Sequence, residues 1–172
     1  EFGAGIGTLA TYFKTTKGLE PKCLEIDPNL KRVLVDRGFK CYDNMQQVDE
    51  LFDGVYTSNV LEHIEDDVRA LKQIRLVMKP KSNLVVYVPA FQCLYSSWDN
   101  SVGHHRRYNK KELLSKLDVA GFDVTKVFYV DSLGFFASFA ARILRHRAST
   151  KLNDEKAANY HIAKIGRASC RE

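Results

Sequence analysis

The chain has 172 residues, 45% hydrophobic and 27% charged, with a formal charge of +5. That suits one domain with a sizeable core and a mildly basic surface, and excludes a disordered chain. No apolar run approaches the ~18 residues of a membrane span, no signal peptide is visible, and the four cysteines (Cys23, Cys41, Cys93, Cys170) show no CxxC pairing. A disulfide framework and a structural zinc are therefore not expected, and a reducing, cytoplasmic setting is.

In chain order, a strand is predicted to end at Glu1-Phe2, followed by a helix over Thr8 to Thr16. KCLEI (Lys22 to Ile26) reads as a short buried strand, and Pro28 to Arg37 as a helix with proline in its first turn. Phe39 to Tyr42 is a weaker strand and GVYTS (Gly54 to Ser58) a better one. Val68, Leu71, Ile74, Leu76 and Val77 recur near helical spacing within Asp66 to Met78. NLVVYV (Asn83 to Val88) is a strong buried strand, Lys110 to Ala120 a helix ended by Gly121, and Phe122 to Val130 an alternating strand. Leu133 to His146 reads as a helix, followed by a polar tail over 148–164. Alternation of strand and helix predicts an α/β domain, with a mostly parallel sheet and helices on both faces. In such sheets ligands lie outside the carboxyl ends of the strands, so the loops there carry the chemistry.

The opening EFGAGIG places Gly3, Gly5 and Gly7 between a strand end and a helix. Such a turn brings backbone amides close to a ligand and presents a helix start that favours anionic groups. Glu25 closes the next strand, where a carboxylate can accept hydrogen bonds from both hydroxyls of a ribose. Turn and acid together predict a nucleoside-type ligand. A dinucleotide fingerprint would want its third glycine at position 8, which is Thr8.

With EFGAGIG, CLEID, FDGVYTSNVLEHIEDD and LVMKPKSNLVVYVP in order, the chain resembles the class I S-adenosylmethionine-dependent methyltransferases over residues 1–147. The resemblance implies a Rossmann-like fold, S-adenosylmethionine as cofactor and methyl transfer by in-line displacement. It places Glu1, Gly3, Gly5 and Gly7 around the methionine end, Glu25 on the ribose and Ile26 against the adenine. Asp43 would lie near the adenine amine and Asn59 near the sulfonium.

The text after Phe91 is read as the acceptor side. Tyr95 and Trp98 offer aromatic surface and Asp99 a carboxylate, while GHHRRY brings His104, His105, Arg106, Arg107 and Tyr108 into one loop. Paired guanidiniums suit phosphate or carboxylate, and an imidazole suits proton transfer near neutral pH. Trp98, Asp99, Arg106, Arg107 and Tyr108 are the substrate candidates; His104, with His105 behind it, is the candidate base. A competing reading has Arg107 and Asp99 merely pin the loop. Metal binding by His104 and His105 is not expected, because adjacent residues point apart and no acid-rich cluster completes the shell. His63, in LEHI, is expected to shape the cofactor loop.

The pattern D…GHxRRY…L…L…GF resembles methyltransferases linked to small metabolites, lipids and glycan assembly, which makes that the expected acceptor class. The alternatives are a nicotinamide-dependent oxidoreductase, whose YxxxK pair occurs only at Tyr160 and Lys164, and a non-catalytic cofactor-binding domain. Nucleic acid is not an expected partner: NVLE replaces the NPPY-type motif, and no basic stripe interleaves with aromatics. LGFFASFAARILRHR, within 133–147, is expected to pack in the core, with peripheral membrane contact as the sharper alternative. IGRASCRE (165–172) coincides codon for codon with a translated sequencing adapter and is expected to be non-native. The first strand is then expected to be largely missing, and so is the family's last strand, which runs antiparallel between the fifth and sixth.

Overall fold

The computed structural model describes residues 1–130 in full and the backbone of 163–170. Helix α1 (Thr8–Lys17) follows the glycine turn and is succeeded by strand β1 (Cys23–Leu24), helix α2 (Pro28–Asp36) and strand β2 (Cys41–Tyr42). Strand β3 (Phe52–Ser58), helix α3 (Asp67–Leu76) and strand β4 (Met78–Pro89) come next. A short helix α4 (Ser97–Ser101), helix α5 (Lys110–Val119) and strand β5 (Phe122–Tyr129) precede strand β6 (Ala163–Cys170).

Helices α2, α3 and α5 begin where short polar side chains can take up free amides. Asp27 accepts from the amides of Asn29 (2.7 Å) and Leu30 (3.3 Å) ahead of Pro28; Asp66 caps α3 through Arg69, and Asn109 caps α5 through Glu112. Helix α4 went unpredicted, because its Ser96–Asp99 capping box is buried in a loop of mixed composition. Strand β4 also starts earlier than the apolar run, since Phe52 pairs with Met78 before the register shifts. The helix predicted over Leu133 to His146 lies outside the described residues, as does most of the polar tail.

Strand β1 pairs with β2, and β3 with β4, both in parallel; β6 runs antiparallel between β4 and β5. The place between the fourth and fifth strands is thus filled by 163–170, where an absent strand had been expected. Leu84, Val86 and Val88 alternate inward on β4 and are fully buried with Leu71, Ile74, Leu113 and Leu117 of α3 and α5. Ala4, Ala10, Cys23, Leu34 and Phe39 form a smaller cluster under α1 and α2. Cys23, Cys41 and Cys93 are free thiols.

The two halves of the sheet meet through one residue. Phe2 makes single parallel bridges to Leu24 and to Thr57. Elsewhere β1 and β3 stand apart, and a cavity of about 870 Å³ opens between them, lined by Phe13, Leu19, Cys23, Val48, Phe52 and Tyr56 among others. Neighbouring strands sit about 4.8 Å apart, so two strands flanking an unfilled strand position leave room of this kind. Between β1 and β3 the bridges to Phe2 lie at the carboxyl ends of the two strands.

Phe2 is 8% exposed and packs into the larger core. Phe2→Ala is expected to cost about 3 kcal/mol, the lower end for a buried phenylalanine because the adjoining cavity already leaves one side open. Urea denaturation followed by circular dichroism measures this; an unchanged midpoint would show that the bridge is dispensable.

Candidate functional site

The segment Glu1 to Ala4 is stitched to both strands it separates. The Phe2 amide donates to the Tyr56 carbonyl (3.0 Å), and Leu24 O accepts from Gly3 N (2.9 Å) and Ala4 N (3.1 Å). The glycine turn therefore leaves the sheet at the carboxyl ends of β1 and β3, where a parallel sheet presents its loops to a ligand.

Gly3 and Gly5 both adopt left-handed backbone, with φ of 72° and 55°. At Gly3 space alone would forbid a side chain, since a Cβ would lie 2.4 Å from Val60 Cγ2. At Gly5 nothing lies within 4 Å of that position, so its backbone faces open space that a ligand can fill. Gly7 has a tighter packing role, because a Cβ there would meet Leu34 Cδ2 at 2.5 Å.

Glu25 directly follows β1 and turns toward this loop. Its Oε2 accepts from Gly5 N (2.7 Å) and its Oε1 from Asp27 N (3.0 Å). Two amides hold the buried carboxylate, and each oxygen keeps a lone pair for a further donor. A vicinal diol bound across Gly5 would meet those lone pairs, so the residues fit the ribose of a nucleoside cofactor. Ile26, the next residue, is 79% exposed and free to form one wall of a base pocket.

The other residues expected at the cofactor are placed as follows. Glu1 accepts from the Ala10 amide (3.1 Å) and from Tyr56 Oη (3.2 Å), so its carboxylate satisfies the first turn of α1. Burial raises the Glu1 carboxyl above its ordinary range. Asn59 follows β3 with φ of 53°, a conformation asparagine tolerates, and its amide donates to Tyr87 O (2.9 Å). Asp43 lies on the surface, ion-paired with Lys31 at 2.5 Å, and that contact lowers its carboxyl.

In the segment between β4 and α5, charged residues are largely used internally. Asp99 has no exposed surface and receives Arg107 in a two-point contact, Nε to Oδ1 at 2.7 Å and Nη2 to Oδ2 at 2.8 Å. It also meets His104 Nδ1 (2.8 Å) and the amide and hydroxyl of Ser96. Burial pushes the Asp99 carboxyl up, but the contacts from Arg107 and His104 outweigh it and hold it low. Tyr108 is fully buried and donates to Asp67 Oδ2 (2.7 Å), which also takes Arg106 Nη1 (2.8 Å) and Lys116 Nζ (2.6 Å). The paired arginines therefore do not present a fork to a ligand: Arg107 binds Asp99, and Arg106 binds Asp67 and the Glu65 carbonyl. Asp99, Arg107 and Tyr108, read from sequence as substrate contacts, are joined to other residues of the protein by these hydrogen bonds. Trp98 remains half-buried at the surface, with its ring edge-on to His104 at 5.6 Å.

The two histidines also part ways. His104 is 7% exposed, with Nδ1 committed to Asp99, whereas His105 is exposed and anchored by its amide to Glu62 O (2.7 Å). Glu62 and Asp67 are the residues that sequence reading passed over, although both lie in LEHIEDD. Glu62 is buried with neither carboxylate oxygen hydrogen-bonded, and burial lifts its carboxyl to about 8. An acid amid apolar neighbours in VLEHI was the available signal. Among the described residues no helix is long and apolar enough to cross a membrane.

A glycine turn facing a carboxylate at the strand ends of an α/β sheet defines a nucleoside-cofactor enzyme of Rossmann-like fold. The sequence profile of the methyltransferase domain family matches residues 1–127, and the chain belongs to that family. S-adenosylmethionine is the cofactor of this class. No curated protein sequence matches significantly. The solved structures it is similar to include the [4+2]-cyclase SpnF (22% identity, 98% of this chain and 73% of that one, TM-score 0.69). A sarcosine dimethylglycine methyltransferase described from Galdieria sulphuraria matches at 16% identity, over 98% and 76% of the chains, with TM-score 0.70. Phosphoethanolamine N-methyltransferase 2 of Haemonchus contortus, bound to S-adenosyl-L-methionine, matches at 14% identity over 99% and 48%, with TM-score 0.68. These likenesses establish the fold.

Asp67 gives a pH-dependent test of the interior ion network. Burial raises its carboxyl, but the hydrogen bonds from Lys116 and Tyr108 outweigh this and place it below the ordinary value. A depressed carboxyl contributes stability that is complete above the unfolded value, about 3.9, and is lost as pH falls through the folded one. Asp67→Asn is expected to cost about 3 kcal/mol at neutral pH by removing the carboxylate shared by Arg106, Lys116 and Tyr108. It should also flatten the acid limb of the stability curve below about pH 4. Melting curves between pH 3 and 7 decide the matter.

Proposed function

We propose that this methyltransferase-family chain transfers a methyl group from S-adenosylmethionine to a small-molecule, lipid or glycan-precursor acceptor. The observation that carries the cofactor assignment is the Glu25 carboxylate meeting the Gly5 amide at 2.7 Å beside open space. In this reading Glu25 holds the ribose, Ile26 covers the adenine, and the amides of Gly3 to Gly7 border the methionine end. Asn59, exposed at the end of β3, borders the transferring carbon, and Asp43 on its surface turn approaches the adenine amine. The cofactor supplies a methyl group already activated on a sulfonium. The protein's contribution is alignment of donor and acceptor, for which no covalent enzyme intermediate is required.

The acceptor enters, on this reading, beside Trp98 and the exposed imidazole of His105, which takes the role of proton acceptor. The burial of His104 and the engagement of its Nδ1 with Asp99 favour His105 for that role. Arg106, half-buried against Asp67, orients the loop that carries them.

Glu25→Gln keeps the side-chain shape and removes the charge that grips two hydroxyls. Hydrogen bonds to a charged group contribute about 1.5–3 kcal/mol, so affinity for S-adenosylmethionine should fall roughly 10- to 100-fold. Isothermal titration of wild type and variant against S-adenosylmethionine and NAD tests both halves of the assignment. Tighter binding of NAD by the wild type would replace the methyltransferase reading with an oxidoreductase one.

A further inference from the structure

The turn Leu61–His63 and the loop Gly103–Tyr108 bring three donor-bearing side chains together that are distant in sequence. We propose that Glu62, His63 and His104 form a binding site for a divalent first-row transition metal, with Zn²⁺ the ion that best matches the donor set. One ligand-type atom from each residue lies within 4.8 Å of the other two. The assignment stands independently of the methyl-transfer reading, because it rests only on this cluster.

Three observations carry it. First, Glu62 has no exposed surface, and both its carboxylate oxygens lack a hydrogen-bond partner. A buried carboxyl in that condition either keeps its proton or meets a cation, and a metal ion displacing the proton would supply that cation. Its own backbone carbonyl, by contrast, is used by the His105 amide, so the turn is firmly placed against the loop.

Second, the Asp99 contact selects how His104 presents its ring. Asp99 is held by Arg107, and its Oδ1 lies 2.8 Å from His104 Nδ1, so the ring proton belongs on Nδ1. Nε2 then offers its lone pair, and it faces Glu62 Oε1 at 4.0 Å. That separation is too long for a hydrogen bond. It is instead close to the spacing of two ligands on one ion, since Zn–N and Zn–O distances of about 2.0–2.2 Å put tetrahedral neighbours roughly 3.4 Å apart. A carboxylate oriented behind a ligating imidazole is the arrangement that metal-binding histidines usually have.

Third, His63 closes the trio from the solvent side. Its ring lies edge-on to His104 with centroids 4.6 Å apart, and it is exposed. An ion can thus enter past His63 while the other two ligands stay buried. Two imidazoles and one carboxylate suit Zn²⁺ and leave a fourth position for water or another small donor. His105, the residue examined from sequence as a partner for His104, contributes only its backbone.

The test uses the full chain, stripped of metal by chelator dialysis and titrated with Zn²⁺ in competition with a chromophoric chelator. One equivalent is expected to bind, weakened at least 100-fold by Glu62→Gln and at least 10-fold by His63→Ala. Co²⁺ should give the visible absorption of a four- or five-coordinate site in the wild type and lose it in His63→Ala. Because His63 is exposed, that variant should melt like the wild type without metal and decides the question even if Glu62→Gln fails to fold. Binding that neither variant changes, or Co²⁺ spectra with sulfur-to-metal charge-transfer bands, would place the ion elsewhere and overturn the assignment. No binding at all would leave the 4.0 Å gap to a bridging water and equally overturn it.

Discussion

The structure depends on a single seam. Glu1 to Ala4 lies between β1 and β3 and is bonded to both, through Leu24 N and O on one side and Tyr56 O on the other. Because β1 and β3 otherwise stand apart, this seam sets the height at which the glycine turn leaves the sheet and hence where Gly5 faces Glu25. A displacement here would move backbone amides and carboxylate together, since both are referred to Leu24 and its neighbour. The hydrogen bonds are ordinary in length; among the described residues they are the backbone hydrogen bonds that tie this segment to β1 and to β3.

Around that seam the protein divides its charges between two uses. Glu25 keeps lone pairs available beside open space, while Asp99 and Asp67 use theirs on internal cations and donors. The second arrangement is what folds the long excursion between β4 and α5. That excursion contains only short helical turns, so it lacks a continuous hydrogen-bonded frame of its own. Two carboxylates, each gathering contacts from several directions, take the place of such a frame. Ala90 pairing with Tyr108 and the stacking of Phe91 on Tyr129 fasten the ends of the loop to the sheet. Removing Asp99 would leave the buried guanidinium of Arg107 without its ionic partner, and removing Asp67 would take the shared carboxylate from Arg106 and Lys116.

The loop is also organised around an imidazole held from behind. Asp99 is anchored by Arg107, so it orients His104 rather than being oriented by it, and His104 in turn faces the turn that follows β3. This links the end of β3, where Asn59 sits, to the loop after β4 through a chain of directed contacts. Two loops that meet at the carboxyl ends of adjacent parallel strands are thereby held in one geometry.

The sequence alone determined the alternation of strands and helices as far as β5 and the largely parallel α/β architecture, though neither α4 nor β6. Those follow from local causes: hydrophobic period, capping side chains, and glycines whose backbone requirement shows in the residue itself. Helix starts at Pro28, Asp67 and Lys110 were legible because Asp27, Asp66 and Asn109 announce them. Tertiary structure decided the rest. Whether Arg107 meets a ligand or Asp99, whether His104 is open or enclosed, and that Glu62 lies against it depend on how two loops fold over one another. Charge and hydrogen-bonding capacity are written in a residue's chemistry, but the partner that uses them is chosen by long-range packing, and no local pattern encodes that choice.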